Sequence, residues 1–339
     1  MLDYRHFLNL TDENGILQFS KLDSPDPLSG YTLDDNARAL IIALNMEEGY
    51  DLAYKYASWL FKARRADKSW SNFELDGKFY ASFDSEDSVG RALLACSLGI
   101  NSPFTDIKKM CEKMLKDALP SSIHFRSPRA IAYTLLGLCK IDNEKISAQY
   151  SSIRDKLADY LISLYQANHT RKFLWFENYL TYCNGILPQA LWAYYGIKEH
   201  KKALKIAHDS LSFLNSMLFK KSYLNIIGNR GWYFQGKKPA LYDQQPVDAA
   251  STAFACFEAY SLSGGSEYLE LAILAHRWFR GYNINQLSLY NPKTGGCYDA
   301  LTPEGVNLNQ GAEAVISLLL TDTLMLSFIK QQADMEKTS

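Results

Sequence analysis

The sequence predicts an all-α fold, an (α/α)6 toroid in which an inner ring of six helices is wrapped by an outer ring. Three observations predict it. Six times along the 339 residues, an acid, arginine or asparagine beside a capping or polar residue opens a run of small and apolar residues. A second, more amphipathic stretch follows most of these runs. Taking Asp35, Asp87, Arg129, Asn184, Asp248 and Glu313 as markers, the spacings are 52, 42, 55, 64 and 65 residues, each long enough for one helical hairpin.

The first opening is Thr32-Leu33-Asp34-Asp35, where a threonine followed three positions on by an acid resembles a capping box with the shorter acid. The stretch 51–66 after it has one wet face. Ser85-Glu86-Asp87 opens the second run. Ser127-Pro128-Arg129 opens the third by placing a capping hydroxyl before a proline at the first helical position. Ala130–Cys139 beyond it is apolar nearly all round, as a helix buried on every side must be. Between 149 and 166, Ile153, Leu157, Tyr160, Leu161 and Leu164 recur at steps of three and four, with Arg154, Asp155, Lys156 and Asp159 between them. That is an amphipathic outer helix. Tyr182-Cys183-Asn184 with Pro188 opens the fourth run, and 198–219 is again amphipathic. Gln245-Pro246-Val247-Asp248 leads into the dry stretch Ala249–Tyr260, and Asn309-Gln310 with Glu313 leads into Ala314–Leu320. In a closed ring the inner helices run parallel. All six polar starts then share one end and line a funnel.

The connections are expected to be long, structureless and functional. They hold Trp70, Asn72 and Glu74 (64–84), Trp175 and Glu177 (168–181), Arg230, Trp232 and Asp243 (222–243), and Tyr298, Asp299 and Asn307 (285–309). No Pro, Gly or Ser linker interrupts the chain, so one domain is expected over 1–330 with a polar tail over 331–339.

Composition narrows the function classes. A net charge of −1 and the lack of a basic stretch argue against a nucleic-acid partner. No stretch is read as a membrane span, and the N-terminus lacks the basic start and apolar core of a signal peptide. Six cysteines without a CxxC pair suit buried thiols in a reducing compartment, so a cytoplasmic location is expected. The six histidines show no metal-ligand spacing, and no P-loop, GxGxxG or GxSxG motif is present; no metal or cofactor is expected.

Carboxylate chemistry is what remains. Glycoside cleavage needs an acid to protonate the leaving oxygen and a carboxylate opposite it, and a partly dry funnel raises carboxyl pKa values as this demands. Glu177, beside Trp175 and Phe176, is expected as general acid, with Asp87 or Glu313 as base. Asp35 and Arg129 would position sugar hydroxyls, and Trp70, Trp175 and Trp232 would stack on sugar rings. Asn184, Arg230, Asp243, Asp248 and Tyr298 complete the expected binding set, and Asp34 is a further candidate acid. The alternative reading makes Asp35, Asp87 and Asp248 helix-start acids that satisfy free amides and the helix dipole. Arg38 and Arg91, on apolar helices after acids, must be paired if buried.

The segments GYTLDDNARALI (30–41), SEDSVGRALLA (85–95), SPRAIAYTLLGL (127–138), WFENYLTYCNGILPQAL (175–191), GNRGWYF (228–234), YDQQPVDA (242–249), TGGCYDAL (294–301) and NQGAEA (309–314) resemble a little-characterised family of six-hairpin-glycosidase-like proteins. Some of its members are associated with or fused to glycosyltransferase domains. The resemblance spans nearly the whole chain and implies the same toroid, an oligosaccharide substrate and a functional association with a glycosyltransferase. Toroids of this shape include glycoside hydrolases, many of them inverting, as well as epimerases and lyases. The stretch Trp70-Ser71-Asn72-Phe73-Glu74 resembles a divergent form of that family's arginine- and aspartate-containing loop. The expectation is therefore a glycoside hydrolase on a short oligosaccharide, inverting rather than retaining. Its rivals are a sugar epimerase or lyase on the same fold, a non-catalytic carbohydrate-binding partner of a glycosyltransferase, and a terpenoid-cyclase-like toroid using Asp34 and Asp35.

Overall fold

The computed structural model describes the backbone of residues 2–338 and the side chains of residues 2–330. In chain order the helices are α1 (Arg5–Asn9), α2 (Leu33–Leu44), α3 (Tyr50–Lys62), α4 (Glu86–Gly99), α5 (Thr105–Ala118), α6 (Pro128–Cys139), α7 (Glu144–Gln149), α8 (Ser151–Asn168), α9 (Ile186–Lys198), α10 (Lys201–Leu218), α11 (Pro246–Ser263), α12 (Ser266–Trp278) and α13 (Ala312–Thr338). Helices α2, α4, α6, α9, α11 and α13 each pack on the next, and α13 returns to α2, so the inner ring is closed. Helices α3, α5, α8, α10 and α12 pack outside the inner helix that precedes them. The sixth inner helix differs: among the described residues it is the one-turn α1, from the start of the sequence, that packs on α13.

Inner helices sit this close because small residues face each other. A Cβ added to Gly90 of α4 would lie 2.7 Å from the Ala130 Cα of α6, nearer than any real side chain tolerates. Their starts are fixed by the expected caps. Thr32 Oγ1 accepts from the Asp35 amide at 3.1 Å, Ser85 Oγ from Ser88 at 3.1 Å, and Ser127 Oγ from Ala130 at 3.4 Å.

The long connections are not structureless. Eleven short strands pin them: β1 (Ser20–Lys21), β2 (Ser24–Pro25), β3 (Tyr31–Thr32), β4 (Phe73–Leu75), β5 (Lys78–Tyr80), β6 (Tyr179–Leu180), β7 (Tyr233–Phe234), β8 (Tyr290–Asn291), β9 (Gly296–Cys297), β10 (Ala300–Thr302) and β11 (Gly305–Asn307). The sheet β3-β4-β5 straps the start of α2 to the loop before α4, and β6-β7 ties the loops before α9 and α11. The tight turn Asp76-Gly77, with φ of 50° and 72°, lets β4 fold back on β5.

One further expectation changes. Ala312–Lys330 is long and apolar enough to cross a membrane by length and composition. Its apolarity serves the inner ring, where α13 is flanked by α2 and α11. The segment 331–339, expected as a polar tail, lies outside the residues whose side chains are described; its backbone continues α13 to Thr338. All six cysteines are buried and unpaired.

Candidate active site

The starts of α2 and α13 carry the first group of charges. Arg38 bridges Asp35 on its own helix at 3.1 Å and Glu313 of α13 at 2.9 Å, joining the first and last inner helices. Arg91 of α4 reaches back to Asp34 of α2 at 3.1 Å, and its guanidinium also lies 4.8 Å from the Tyr133 ring centre. Both arginines are buried, whereas Glu313 and Asp34 open towards the cavity, their side chains 43% and 26% exposed.

A second group stands at the starts of α4, α6 and α9. Asp87 accepts from the Ser127 hydroxyl and from the Tyr182 hydroxyl, which holds both its oxygens. Beside it, Glu86 Oε2 accepts from the amides of Arg126 and Ser127 at 2.6 Å each. Arg129 donates to Glu177 at 3.0 Å, Thr181 Oγ1 at 2.7 Å, Asn184 Oδ1 at 3.3 Å and the Tyr182 carbonyl at 2.7 Å.

Two adjoining cavities open above these groups. One, of about 500 Å3, is lined by Asp34, Glu86, Asp87, Arg91, Ser127, Tyr182, Trp232, Val247 and Glu313, among others. The other, of about 340 Å3, includes Asp35, Arg38, Asn72, Asn229, Asp243 and Asp299. Asp34, Gln245 and Glu313 line both, so the two are lobes of one funnel.

Carboxyls outnumber guanidiniums on this floor. Burial pushes Asp35 up to about 6 against the pull of Arg38, with the charge of Glu313 adding to the rise. Asp248 is pushed up to about 7 by burial, although its Oδ1 accepts the Cys183 amide at 2.6 Å; Glu313 again raises it. Asp299 is pushed up to about 6 by burial despite accepting from the Gly311 amide at 2.7 Å, and Glu313 raises it as well. Glu313 is therefore the common neighbour of three carboxyls whose pKa values burial moves up towards neutrality.

The expected site residues divide into two sets. Asp35, Asp87, Glu313, Trp232 and Asp243 face the funnel, and so does Asp34. Glu177 does not line either lobe: it is buried and consumed by Arg129, which corrects its placement beside a sugar. Arg129 and Asn184 complete that buried knot. Trp70 and Trp175 are core residues, 2% and 0% exposed, Trp70 donating to the Leu60 carbonyl and Trp175 packing on Phe176 and Phe213. Neither can stack on a ligand. Arg230 pairs with Asp243 at 3.0 Å on the surface, Tyr298 packs against the core, and Asp248 lies just beneath the funnel wall. Tyr182, Ser127, Gln245 and Asp299 are lining residues that sequence reasoning did not select. Tyr182 stood in a recognised opening, and Asp299 had the signal of an acid between apolar Cys297 and Leu301.

No protein-family model matches the chain, and no curated protein matches it. Solved structures do. The cellobiose 2-epimerase of Bacillus thermoamylovorans superposes with a TM-score of 0.71 at 9% identity, covering 94% of this chain and 95% of the other. A D-mannose isomerase gives 0.68 at 15% identity, covering 95% and 94%. A GH76 α-mannanase of Bacteroides thetaiotaomicron gives 0.63 at 13% identity, covering 89% and 88%. Identities this low speak to architecture alone, and on that ground the chain is an (α/α)6 toroid.

Proposed function

We propose that this protein is a carbohydrate-active enzyme, a glycoside hydrolase that acts on a short oligosaccharide held in the funnel. One observation carries the reading: Asp87 and Glu313, from helices on either side of α2, face the same cavity of about 500 Å3 with different surroundings. Asp87 is held in place by two hydroxyl donors, one on each oxygen, and is assigned the role of base. Glu313, bridged to Arg38 together with Asp35, reaches into the cavity from α13 and is assigned the role of acid. In the step so described, the Glu313 proton passes to the glycosidic oxygen as the C–O bond breaks. Water attacks the anomeric carbon and loses a proton to Asp87, and the configuration inverts. Asp34, Arg91 and Asn72 offer hydrogen bonds to sugar hydroxyls, and Trp232 offers a ring face at the wall.

The likeness to sugar epimerases, an isomerase and a mannanase supports carbohydrate as the substrate class. A glycosyltransferase building the same glycan is the partner this reading expects. The test is hydrolysis of a panel of mannosides and glucosides, followed by reducing-end release and by anomer-resolved NMR. Activity in the wild type that Glu313→Gln and Asp87→Asn both abolish supports the assignment; no release from any member refutes it.

A second reading, epimerisation, draws on the Tyr182 hydroxyl bonded to Asp87 inside the cavity, since a tyrosine so placed can move a proton at carbon. Proton NMR in deuterated water separates the two. Exchange at a sugar C–H without release of a reducing end would favour epimerisation.

A further inference from the structure

The two lobes of the funnel differ in what they present to a ligand. The lobe of about 340 Å3 carries Asp34, Asp35, Asp243, Asp299 and Glu313 against Arg38 alone. Among the described residues, no lysine or histidine lines either lobe. Both arginines of the floor are already bridged, Arg38 to Asp35 and Glu313, and Arg91 to Asp34. An anionic sugar entering here meets like charge and finds no free cation.

Two of these carboxyls are held alike. Asp299 Oδ1 accepts from the Gly311 amide at 2.7 Å, which fixes it against the turn that leads into α13. Asp243 Oδ1 lies 3.0 Å from Arg230 Nε. The backbone bridge between Gln244 and Leu301, 2.9 Å in each direction, lays the two segments side by side. Each residue is half-buried and lines the smaller lobe. In each, Oδ2 has no partner among the described residues and is not shut away from solvent.

Ionised carboxyl oxygens only accept, so open ones call for a ligand rich in donors. A sugar hydroxyl brings one proton. A protonated amine brings three and a positive charge, and charge-assisted hydrogen bonds are about twice as strong as neutral ones. Carboxylates also hold metal ions, but no three acids, histidines or cysteines are grouped to bind one among the described residues.

We propose that the smaller lobe is a subsite for an amino sugar with its amine free, and that Asp299 and Asp243 are its specificity-determining residues. The ammonium donates to their open oxygens. This rests on the funnel being the sugar site, though not on hydrolysis being its reaction. Burial, with the charge of Glu313, pushes Asp299 up to about 6, and Asp35 in the same lobe is also pushed up to about 6 by burial, against Arg38. An ammonium beside them opposes that rise, so its binding at pH 6 releases protons.

The experiment is calorimetric titration of the full chain at pH 6 with glucosamine, mannosamine and galactosamine, in two buffers of different ionisation heat. Each amine is compared with its hydroxyl parent and its N-acetyl derivative, and glucuronate is the anionic control. In at least one series the amine should bind tenfold or more tightly than the other two sugars and release protons, which its parent does not. Asp299→Asn, which keeps an oxygen for the Gly311 amide, should bring the amine to within threefold of its parent. Asp243→Asn should narrow the preference as well and serves if the first variant does not fold. No amine preference in any series overturns the proposal, as does a preference unchanged in both variants. Equal proton release by amine and parent, or glucuronate binding as tightly as glucosamine, overturns it too. Neutral sugars bound or cleaved without an amine preference sink this inference alone, whereas amine binding without cleavage of any glycoside sinks only the hydrolysis.

Discussion

Asp248 offers a test of the electrostatics that needs no substrate. Its Oδ1 accepts the Cys183 amide, while its Oδ2 is buried without a partner. An ordinary aspartate titrates near 3.8, and burial takes this one to about 7. Between those values the folded protein holds a proton that the unfolded chain has released. Stability contributed at this residue therefore falls as pH rises through the window, and is level above it. At ~1.4 kcal/mol per pH unit, a window about three units wide corresponds to about 4 kcal/mol, an upper bound once the site relaxes. Asp248→Asn keeps an oxygen for the Cys183 amide and cannot ionise. Relative to wild type it should be nearly neutral at pH 4 and more stable at pH 8 by about 2–4 kcal/mol. In a domain of this size each kcal/mol moves Tm by about 2–4 °C. Urea and thermal unfolding followed by circular dichroism from pH 4 to 8 measure the difference. Parallel curves for the two proteins, or an asparagine variant less stable at pH 8, would refute the account of a carboxylate ionising at a cost. Asp35 and Asp299 act in the same direction in both proteins and cancel in the comparison.

Glu313→Gln should lower turnover on any glycoside the wild type cleaves by about 10²–10⁴-fold while Tm stays within a few degrees, as loss of a proton donor would; a rate within tenfold of wild type removes Glu313 as the acid. Glu177→Gln should behave in the opposite way. It leaves Arg129 buried without a counter-charge and should cost about 3–5 kcal/mol in urea unfolding, yet the folded fraction should keep its rate. Gly90→Ala drives a methyl into the Ala130 backbone and should cost about 1–3 kcal/mol in the same assay; an unchanged midpoint would mean that α4 and α6 separate freely.

What could be read along the chain was whatever is encoded locally. The caps Thr32, Ser85 and Ser127 and the dry runs after them announce inner helices because both signals lie within one or two turns. The funnel follows from their parallel arrangement, and with it Asp87, Glu313 and Trp232. Partners distant in sequence were not legible. Glu177 looked like an acid in an apolar loop, but its burial comes with Arg129, 48 positions earlier, which no local pattern announces. The pairing of Tyr182 with Asp87 spans 95 positions. Loop tryptophans misled for a related reason. Trp70 and Trp175 sit between helices in sequence, but the strands that pin those loops press them into the core. The packing of α1 on α13 was equally hidden, since the two lie far apart in the sequence.

The Arg38–Glu313 bridge ties residues 275 positions apart and is at once the seam of the annulus and part of its charged floor. Until α13 has been synthesised and docked, α2 presents a bare flank and Glu313 has no guanidinium to meet. Closing the ring and completing this part of the floor are thus one event, which needs α2 and α13 both in place. Such long-range closure also makes for slow folding with an exposed apolar edge.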